Sequence, residues 1–344
     1  MENTGKYMKS EEVSFMRRFP WHVAALLFFG FVCLPVTTEA QRPGKTFRVG
    51  HLSGSGATAT KALTDVFRDE MRARGYVEGQ NFELDERYAE GKIERLPALV
   101  KELIQRNPDA LLVATTPGNL AAKAATSTIP IVFVLVADPV GAGLVKSLAR
   151  QGGNITGITN IVAELGGKRL EIIKEIVPKA THIGVMVNPN DQNTPLQMRY
   201  AEEGARRLGI KLDPILEVRT PEDLEKAFEA AAKAQTPALL RMIDPLVFML
   251  RKQTAELSVK YRIPVIHSAR EDVVSGGLIA YGANAPDQFR QAAVLMDKIL
   301  RGAKPADLPV EQPTKFDLVI NAKTARALNL SIPQTLTFRA EVIE

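Results

Sequence analysis

Apolar runs of strand length alternate with stretches of helical period along most of this chain. "FRVGHL" (47–52) leads into a helix over 58–74, where Leu63, Val66, Phe67 and Met71 share one face. Leu96, Leu99, Val100, Leu103 and Ile104 mark a second amphipathic helix. The strand "ALLVAT", a helix starting near Gly118 and the strand "IPIVFVLV" follow. Strand and helix in alternation, joined by short turns, predict an α/β fold with parallel sheets of βαβ units.

The same pattern occurs twice. "FRVGHLSGSG" is answered by "HIGVMVNPND" at 182–191, and "ALLVATTP" (110–117) by "ALLRMIDP" (238–245). "IPIVFV" (129–134) matches "IPVIHS" (263–268), and "GGNITGI" (152–158) matches "GGLIAYG" (276–282). The order is kept and the offsets stay between about 124 and about 136 residues, as a duplicated unit requires. Two similar α/β lobes are therefore expected, with the boundary near Gly157 to Gly166. The second unit is complete by Gly282. The residues beyond it open with a helix over 286–300, carrying Phe289, Ala292, Ala293, Met296, Ile299 and Leu300 on one stripe. "RGAKPADLPVEQP" is a Pro-rich connection to a strand "FDLVI" and a short helix from Asn321. Such a tail suits a chain that crosses back to decorate both lobes.

The first forty residues stand apart. Arg17 and Arg18 precede "FPWHVAALLFFGFVCLPV", and "TTEA" follows, with Thr38 and Ala40 at the two recognition positions of a small-residue cleavage site. This reads as a cleaved secretory signal over 1–40. A membrane anchor is the alternative, but Pro20, His22 and Pro35 interrupt the run and it is short for a bilayer span. A lipid anchor on Cys33 would need a small residue where Val32 stands. Cys33 is the only cysteine, so the chain after the signal has no disulfide, thiol nucleophile or thiolate metal site. The net charge of +5 is spread along the sequence with no Lys/Arg block, which argues against a nucleic-acid partner.

Ligands of open parallel sheets sit at the carboxyl ends of the strands. Those ends read "LSGSGAT", "TTPGN", "VADPVG", "VNPNDQN", "IDPLV" and "AYGAN", which are rich in caps and hydrogen-bonding groups and nearly empty of catalytic types. "GSGATATK" lacks the Gly-Lys-Ser/Thr ending of a P-loop, and no Gly-x-Ser-x-Gly elbow or third Rossmann glycine is present. His51, His182 and His267 lie at strand ends or starts; a dyad of Ser55 with His51 or His267 is conceivable, against a packed structural role. No cluster with metal-ligand spacing is visible. Asp138 and Asp244 both precede proline at corresponding strand ends, where they either face one another across a cleft or cap turns. Among aromatics, Tyr281 is the first candidate to stack on a ligand and Phe248 the second, with a core role favoured for Phe248.

"GYVEGQNFELDERYAEGKIERLPALVKELI", "ATSTIPIVFVLVADPVGAGLVKSLARQGGNITGIT" and "ADLPVEQPTKFDLVINAKTARALNL" resemble the substrate-binding proteins of ABC importers, in particular the tryptophan/tyrosine-binding branch. The resemblance covers nearly all of the chain after the signal. It implies a type I periplasmic-binding-protein fold, in which two Rossmann-like parallel-sheet lobes joined by a three-crossing hinge close on a ligand. The expected lobes are 46–160 plus 283–308, and 161–282 plus 309–344. The resemblance also implies a periplasmic, monomeric receptor that delivers a small molecule, an amino acid or aromatic carboxylate, to an inner-membrane ABC permease. Neither catalysis nor a cofactor nor a metal is expected.

Carried over residue by residue, the implied ligand contacts are Ser53, Gly54, Ser55 and Thr58 in the first loop, then Thr115, Thr116 and Pro117. Asp138, Pro139, Asn188, Pro189, Asn190, Asp244, Tyr281 and Gly282 complete the set. Ser55, Thr116 and Asn188 are expected to give polar contacts, and the helix near Thr58 to favour a carboxylate. One departure is Gly56, where many members of the resembled family carry proline after the serine. Two rival functions share parts of this pattern. A ligand-sensing regulator of the same fold would need a helix-turn-helix where the hydrophobic signal stands, and an exported α/β hydrolase would need Ser55 or His51 activated.

Overall fold

Strands β1 (Phe47–Ser53), β2 (Phe82–Tyr88), β3 (Ala110–Ala114), β4 (Ile131–Val136) and β5 (Ile155–Thr159) pair in the order β2–β1–β3–β4–β5, all parallel. They belong to a computed structural model that describes residues 45–149 and 153–344. The signal expected over 1–40 lies outside the described residues. Between these strands run helices α1 (Ala57–Ala73), α2 (Leu96–Gln105) and α3 (Thr116–Ala125). Because helices cover both faces, β3 and β5 are buried at every position, which is why they read as continuous apolar or small-residue runs. Edge strand β2, "FELDERY", is charged and half-buried instead.

The second sheet repeats the first. It comprises β6 (His182–Val187), β7 (Lys211–Glu217), β8 (Leu239–Arg241), β9 (Val265–His267) and β10 (Ile279–Ala283), extended by β11 (Phe316–Asn321) and β12 (Glu341–Ile343). Its order is β12–β11–β10–β9–β8–β6–β7. β6, β8, β9 and β10 therefore occupy the places of β1, β3, β4 and β5, in the sequence order of the four repeated segments. β7 takes the place of β2, a correspondence too degraded to read from the sequence. The helices of this lobe are α4 (Gly166–Ile176), α5 (Thr194–Leu208), α6 (Asp223–Lys233), α7 (Pro245–Met249), α8 (Arg251–Tyr261) and α9 (Arg270–Val274).

The tail serves both sheets. Helix α10 (Ala285–Leu300) buries Phe289, Ala292, Ala293, Met296 and Ile299 in the core of the first lobe, with Phe67 and Met71 of α1. Each such fully buried large side chain contributes on the order of 1.5–3 kcal/mol. β11 then pairs antiparallel with β10, and the short helices α11 (Ala322–Ala327) and α12 (Gln334–Thr337) precede β12. Asn321 caps α11 by accepting from the Thr324 amide at 2.9 Å.

The chain passes between lobes three times: from Thr159 of β5 to Gly166 of α4, from Ala283 of β10 to Ala285 of α10, and from Glu311 to Phe316. The third strand of this hinge is fixed to the first, since the Glu311 amide donates to the Gly157 carbonyl at 2.9 Å and Thr159 returns a bond at 3.0 Å. Gly157 is required there: a Cβ would lie 2.2 Å from the Phe133 carbonyl oxygen. The lobes touch. A Cβ on Gly54 would lie 3.1 Å from Pro245, and the Arg251 guanidinium reaches the Ala59 carbonyl at 3.5 Å. Among the described residues no helix is long and apolar enough to cross a membrane.

Candidate functional site

The carboxyl ends of both sheets meet around a cavity of about 690 Å³, counting the solvent at its mouth. From the first lobe come Ser53 and Ser55 after β1, Thr115, Thr116 and Pro117 after β3, and Leu135 and Ala137 around the end of β4. Thr60 and Leu63 of α1 and Asn160 and Val162 of the first crossing complete that wall. The second lobe supplies Asp191, Asn193, Gln197, Ile243, Asp244, Pro245 and Phe248, with Ala269 and Glu271 after β9. Ala285, at the start of α10, also reaches it.

Local chemistry fixes the first wall. Ser53 Oγ accepts from the Ser55 amide at 3.2 Å, and Thr60 donates to the Gly56 carbonyl at 3.0 Å, so the "SGSG" turn is tied to α1. The missing side chain of Gly56 leaves room for Glu90: a Cβ there would lie 2.3 Å from Glu90 Oε2. Glu90 Oε1 accepts from the Ala57 amide at 3.3 Å, capping α1 from outside the loop. Asn119 donates to the Val113 and Thr115 carbonyls and holds the β3–α3 turn.

That turn is strained. Thr115 has φ 73°, Leu135 φ 56°, Ile161 φ 43° and Glu90 φ 54°, left-handed values that cost a non-glycine residue, and most of all the β-branched ones. All four lie on or beside the cavity wall, where strain of this kind concentrates in ligand clamps.

The second wall is acidic. Asp244 Oδ1 accepts from Asn188 Nδ2 at 3.1 Å and from the Leu246 and Val247 amides at 2.9 and 3.3 Å, which caps α7. Its Oδ2 is buried without a partner. Asp191 Oδ1 accepts from the Asn193 amide at 2.6 Å, and its Oδ2 is likewise unpartnered. On the facing wall Thr115 Oγ1 and Thr116 Oγ1 are buried with no partner either. Four residues that line one cavity thus each hold a buried oxygen with its hydrogen-bonding capacity unspent, which is costly. Burial pushes the Asp191 carboxyl up to about 7, opposed by the Asn193 amide and helped by the neighbouring Asp244. Asp244 and Glu271 are raised too, in each case chiefly by burial.

The sequence profile of the family described as ABC transporter substrate binding protein matches residues 56–343. This chain belongs to that family. A curated relative, the tyrosine-binding protein of Clostridioides difficile (strain R20291), is 27% identical over 266 residues, or 77% of this chain and 75% of that protein. A conserved domain protein from Vibrio cholerae O1 biovar El Tor strain N16961 superposes with TM-score 0.81 at 32% identity, covering 87% of this chain and all (100%) of that one. The L-Trp complex of an ABC domain from Streptococcus pneumonia gives TM-score 0.79 at 24% identity, over 87% of this chain and 100% of that chain. The ligand-free, open form of a substrate binding protein with adhesive properties from Clostridium difficile gives only 0.64, at 26% identity, over 87% of this chain and 99% of that chain. The fold is that of the type I periplasmic binding proteins, and the substrate-binding protein is a solute receptor by family.

Of the contacts implied by sequence, Ser53, Ser55, Thr115, Thr116, Pro117 and Asp244 line the cavity of this substrate-binding protein. The others do not. Gly54 is where the lobes approach, against Pro245. Thr58 lies on the exposed first turn of α1. Asn188 stands behind Asp244 as its hydrogen-bond donor, and its Oδ1 accepts from the Asn190 amide at 3.0 Å to shape the turn through Pro189. Asp138 lines a separate groove with Gln192 and Arg199 and does not face Asp244; its Oδ1 accepts from the Gly141 amide at 2.7 Å, while the Pro139 carbonyl accepts from Leu144 and Val145.

The two aromatic candidates exchange places. Tyr281 is half-buried against the second-lobe core and stacks on the exposed Phe316 with ring centroids 6.3 Å apart, because the antiparallel β11 lies beside β10. Gly282 allows the β10 backbone to pass Ser268, whose carbonyl oxygen would lie 1.9 Å from a Cβ. Phe248 lines the cavity instead.

Sequence reading missed Asp191, Asn160, Gln197 and Glu271 as lining residues. Asp191 was legible as the last residue of "NPND", the counterpart of the "SGSG" loop. Glu271 was signalled only by "SAREDV" following a strand. His51 is fully buried under Tyr88 with its Nδ1 3.2 Å from the Leu112 carbonyl, and burial lowers its pKa. His267 is buried beside the Arg241–Asp272 ion pair (2.5 Å), its pKa held well below the ordinary value by burial. Neither histidine lines the cavity with Ser55. Among the described residues no group of three or more His, Cys, Asp and Glu side chains is placed to hold a metal ion.

Proposed function

We propose that this substrate-binding protein is an exported, monomeric receptor that closes on an aromatic amino acid, L-tyrosine or L-tryptophan, and delivers it to an inner-membrane permease. The carrying observation is the opposition of chemistries across one cavity. Ser55, Thr116 and the first turn of α3 offer donors on one wall, while Asp191, Asp244 and Glu271 offer carboxyls on the other. Leu63 and Leu135 of the first wall and Ile243 and Phe248 of the second add apolar lining. An α-amino acid presents a carboxylate, an ammonium and a side chain in that relation. Glu90 already occupies the Ala57 amide of α1, so α3 and the Ser55 and Thr116 hydroxyls are the seat for the carboxylate.

The name of the curated relative at 27% identity supports an aromatic amino acid. Better superposition on the ligand-bound neighbour than on the open one supports a closed arrangement of the lobes. Capture is then a population shift toward the closed state, with no bond made or broken. The leader-like segment 1–40 supports export to the periplasm.

Isothermal titration with the proteinogenic amino acids tests this reading. L-tyrosine or L-tryptophan should bind tightest, and Ser55→Ala and Thr116→Ala should each weaken that binding by about tenfold to a hundredfold, the worth of a hydrogen bond to a charged group. Tight binding of a ligand without a carboxylate and amine, with none of an aromatic amino acid, overturns it.

A further inference from the structure

Phe248 is the only aromatic side chain among the described residues lining the cavity, and its position is not left to a flexible loop. It sits on α7, whose first turn is capped by Asp244 through the Leu246 and Val247 amides. Three residues later Arg251 places its guanidinium over the Phe248 ring, 4.7 Å from the centroid, without itself lining the cavity. Three hydrogen bonds hold the guanidinium there. Nε donates to Ser275 Oγ at 3.1 Å, Nη1 to the Phe248 carbonyl at 3.1 Å, and Nη2 to the Ala59 carbonyl of the opposite lobe at 3.5 Å.

We propose that Phe248 and Arg251 together determine specificity, selecting ligands whose ring is electron-rich; the proposal rests on the amino-acid reading above. A cation on one face of a benzene ring draws π density toward itself and leaves the other face less negative. That face stacks better on an indole or phenol than on an electron-poor ring, and it is a poorer seat for a second cation. The ligand ammonium is thereby steered to the carboxyls of Asp191, Asp244 and Glu271, and the side chain to Phe248. Because one of the three anchors of Arg251 belongs to α1, the guanidinium takes its full set of bonds only when the lobes meet. Ring selection is therefore strongest in the closed state.

The test is isothermal titration of the full protein, wild type and variants, with L-tryptophan, L-tyrosine, L-phenylalanine and pentafluoro-L-phenylalanine. Wild type should bind the first two more tightly than the last. Arg251→Met keeps the aliphatic stem and removes the charge; it should lower the L-tryptophan to pentafluorophenylalanine affinity ratio by about threefold to tenfold, the range of a ring–ring preference. Arg251→Lys restores a cation and should recover much of the ratio. Phe248→Leu should weaken L-tryptophan by about tenfold and flatten the series. A merely structural Arg251 would weaken every ligand alike, so an unchanged ratio in Arg251→Met, with folding confirmed by circular dichroism, overturns the proposal. If wild type binds none of the four, the amino-acid reading fails and takes this inference with it; if wild type binds them and the ratio does not move, only this inference fails.

Discussion

Replacing Asp191 by asparagine separates what this carboxyl costs the fold from what it gives the site. Asp191 is almost completely buried, with one oxygen bonded to the Asn193 amide and the other unpartnered. Burial raises its pKa from 3.8 to about 7. A carboxyl raised in the folded state stays protonated after the unfolded chain has ionised. Its stabilising contribution is therefore fully present below about pH 4 and is lost as the pH rises to about 7, a change of about 4 kcal/mol. Asparagine keeps the acceptor for the Asn193 amide and does not titrate, but it puts an NH2 where the unpartnered oxygen stood, at a cost of about 1–2 kcal/mol. The variant should thus be slightly less stable than wild type at pH 4.5 and about 2–3 kcal/mol more stable at pH 8.5, where the charge is avoided. It also relieves Asp244, whose carboxyl Asp191 repels. Urea unfolding of both proteins without ligand, followed by far-UV circular dichroism at the two pH values, reads the difference directly. Stability curves that run parallel from pH 4.5 to 8.5 would refute the assignment of a high-pKa carboxyl to this position.

The same group predicts a pH dependence of binding. An ammonium on Asp191 favours the ionised carboxyl, so L-tyrosine affinity should rise from pH 6 to pH 8, with a proton released to the buffer; titrations in buffers of different ionisation enthalpy measure it. Gly282→Ala should destabilise the fold by about 2–3 kcal/mol through overpacking against Ser268, lowering the melting temperature with or without ligand. Asp272→Asn leaves Arg241 and Arg169 buried without a counter-charge and should cost about 3–5 kcal/mol, read by the same denaturation assay.

By itself the sequence determined the layered α/β fold, because parallel strands buried on both faces must be apolar and their helices must carry one apolar face. "ALLVA" in β3 and the stripe of Phe67 and Met71 in α1 are direct imprints of those demands. It determined the duplication for the same reason, and the tail, because helix α10 carries a stripe that no second-repeat partner accounted for. β7 escaped because an edge strand faces solvent and is free to drift. The loops with ligand-type residues were also legible, since strand ends open into turns that need Gly, Ser, Thr, Asn and Pro. What only the tertiary structure decided is which of these residues turn inward. Asn188 and Asp244 lie in matching turns of adjacent strands, yet one serves as the other's donor. Tyr281 lies within a strand and Phe248 on the short helix after one: β11, paired beside β10, gives the half-buried Tyr281 the Phe316 ring to stack on, while α7 carries Phe248 to the cavity. Leu135 carries no local mark at all, and Glu271 only that of "SAREDV" following a strand. Their place depends on a backbone twist and on the approach of two lobes, and the closeness of that approach is set by contacts between residues nearly two hundred positions apart, such as Arg251 and Ala59 (192 apart), which no local pattern encodes.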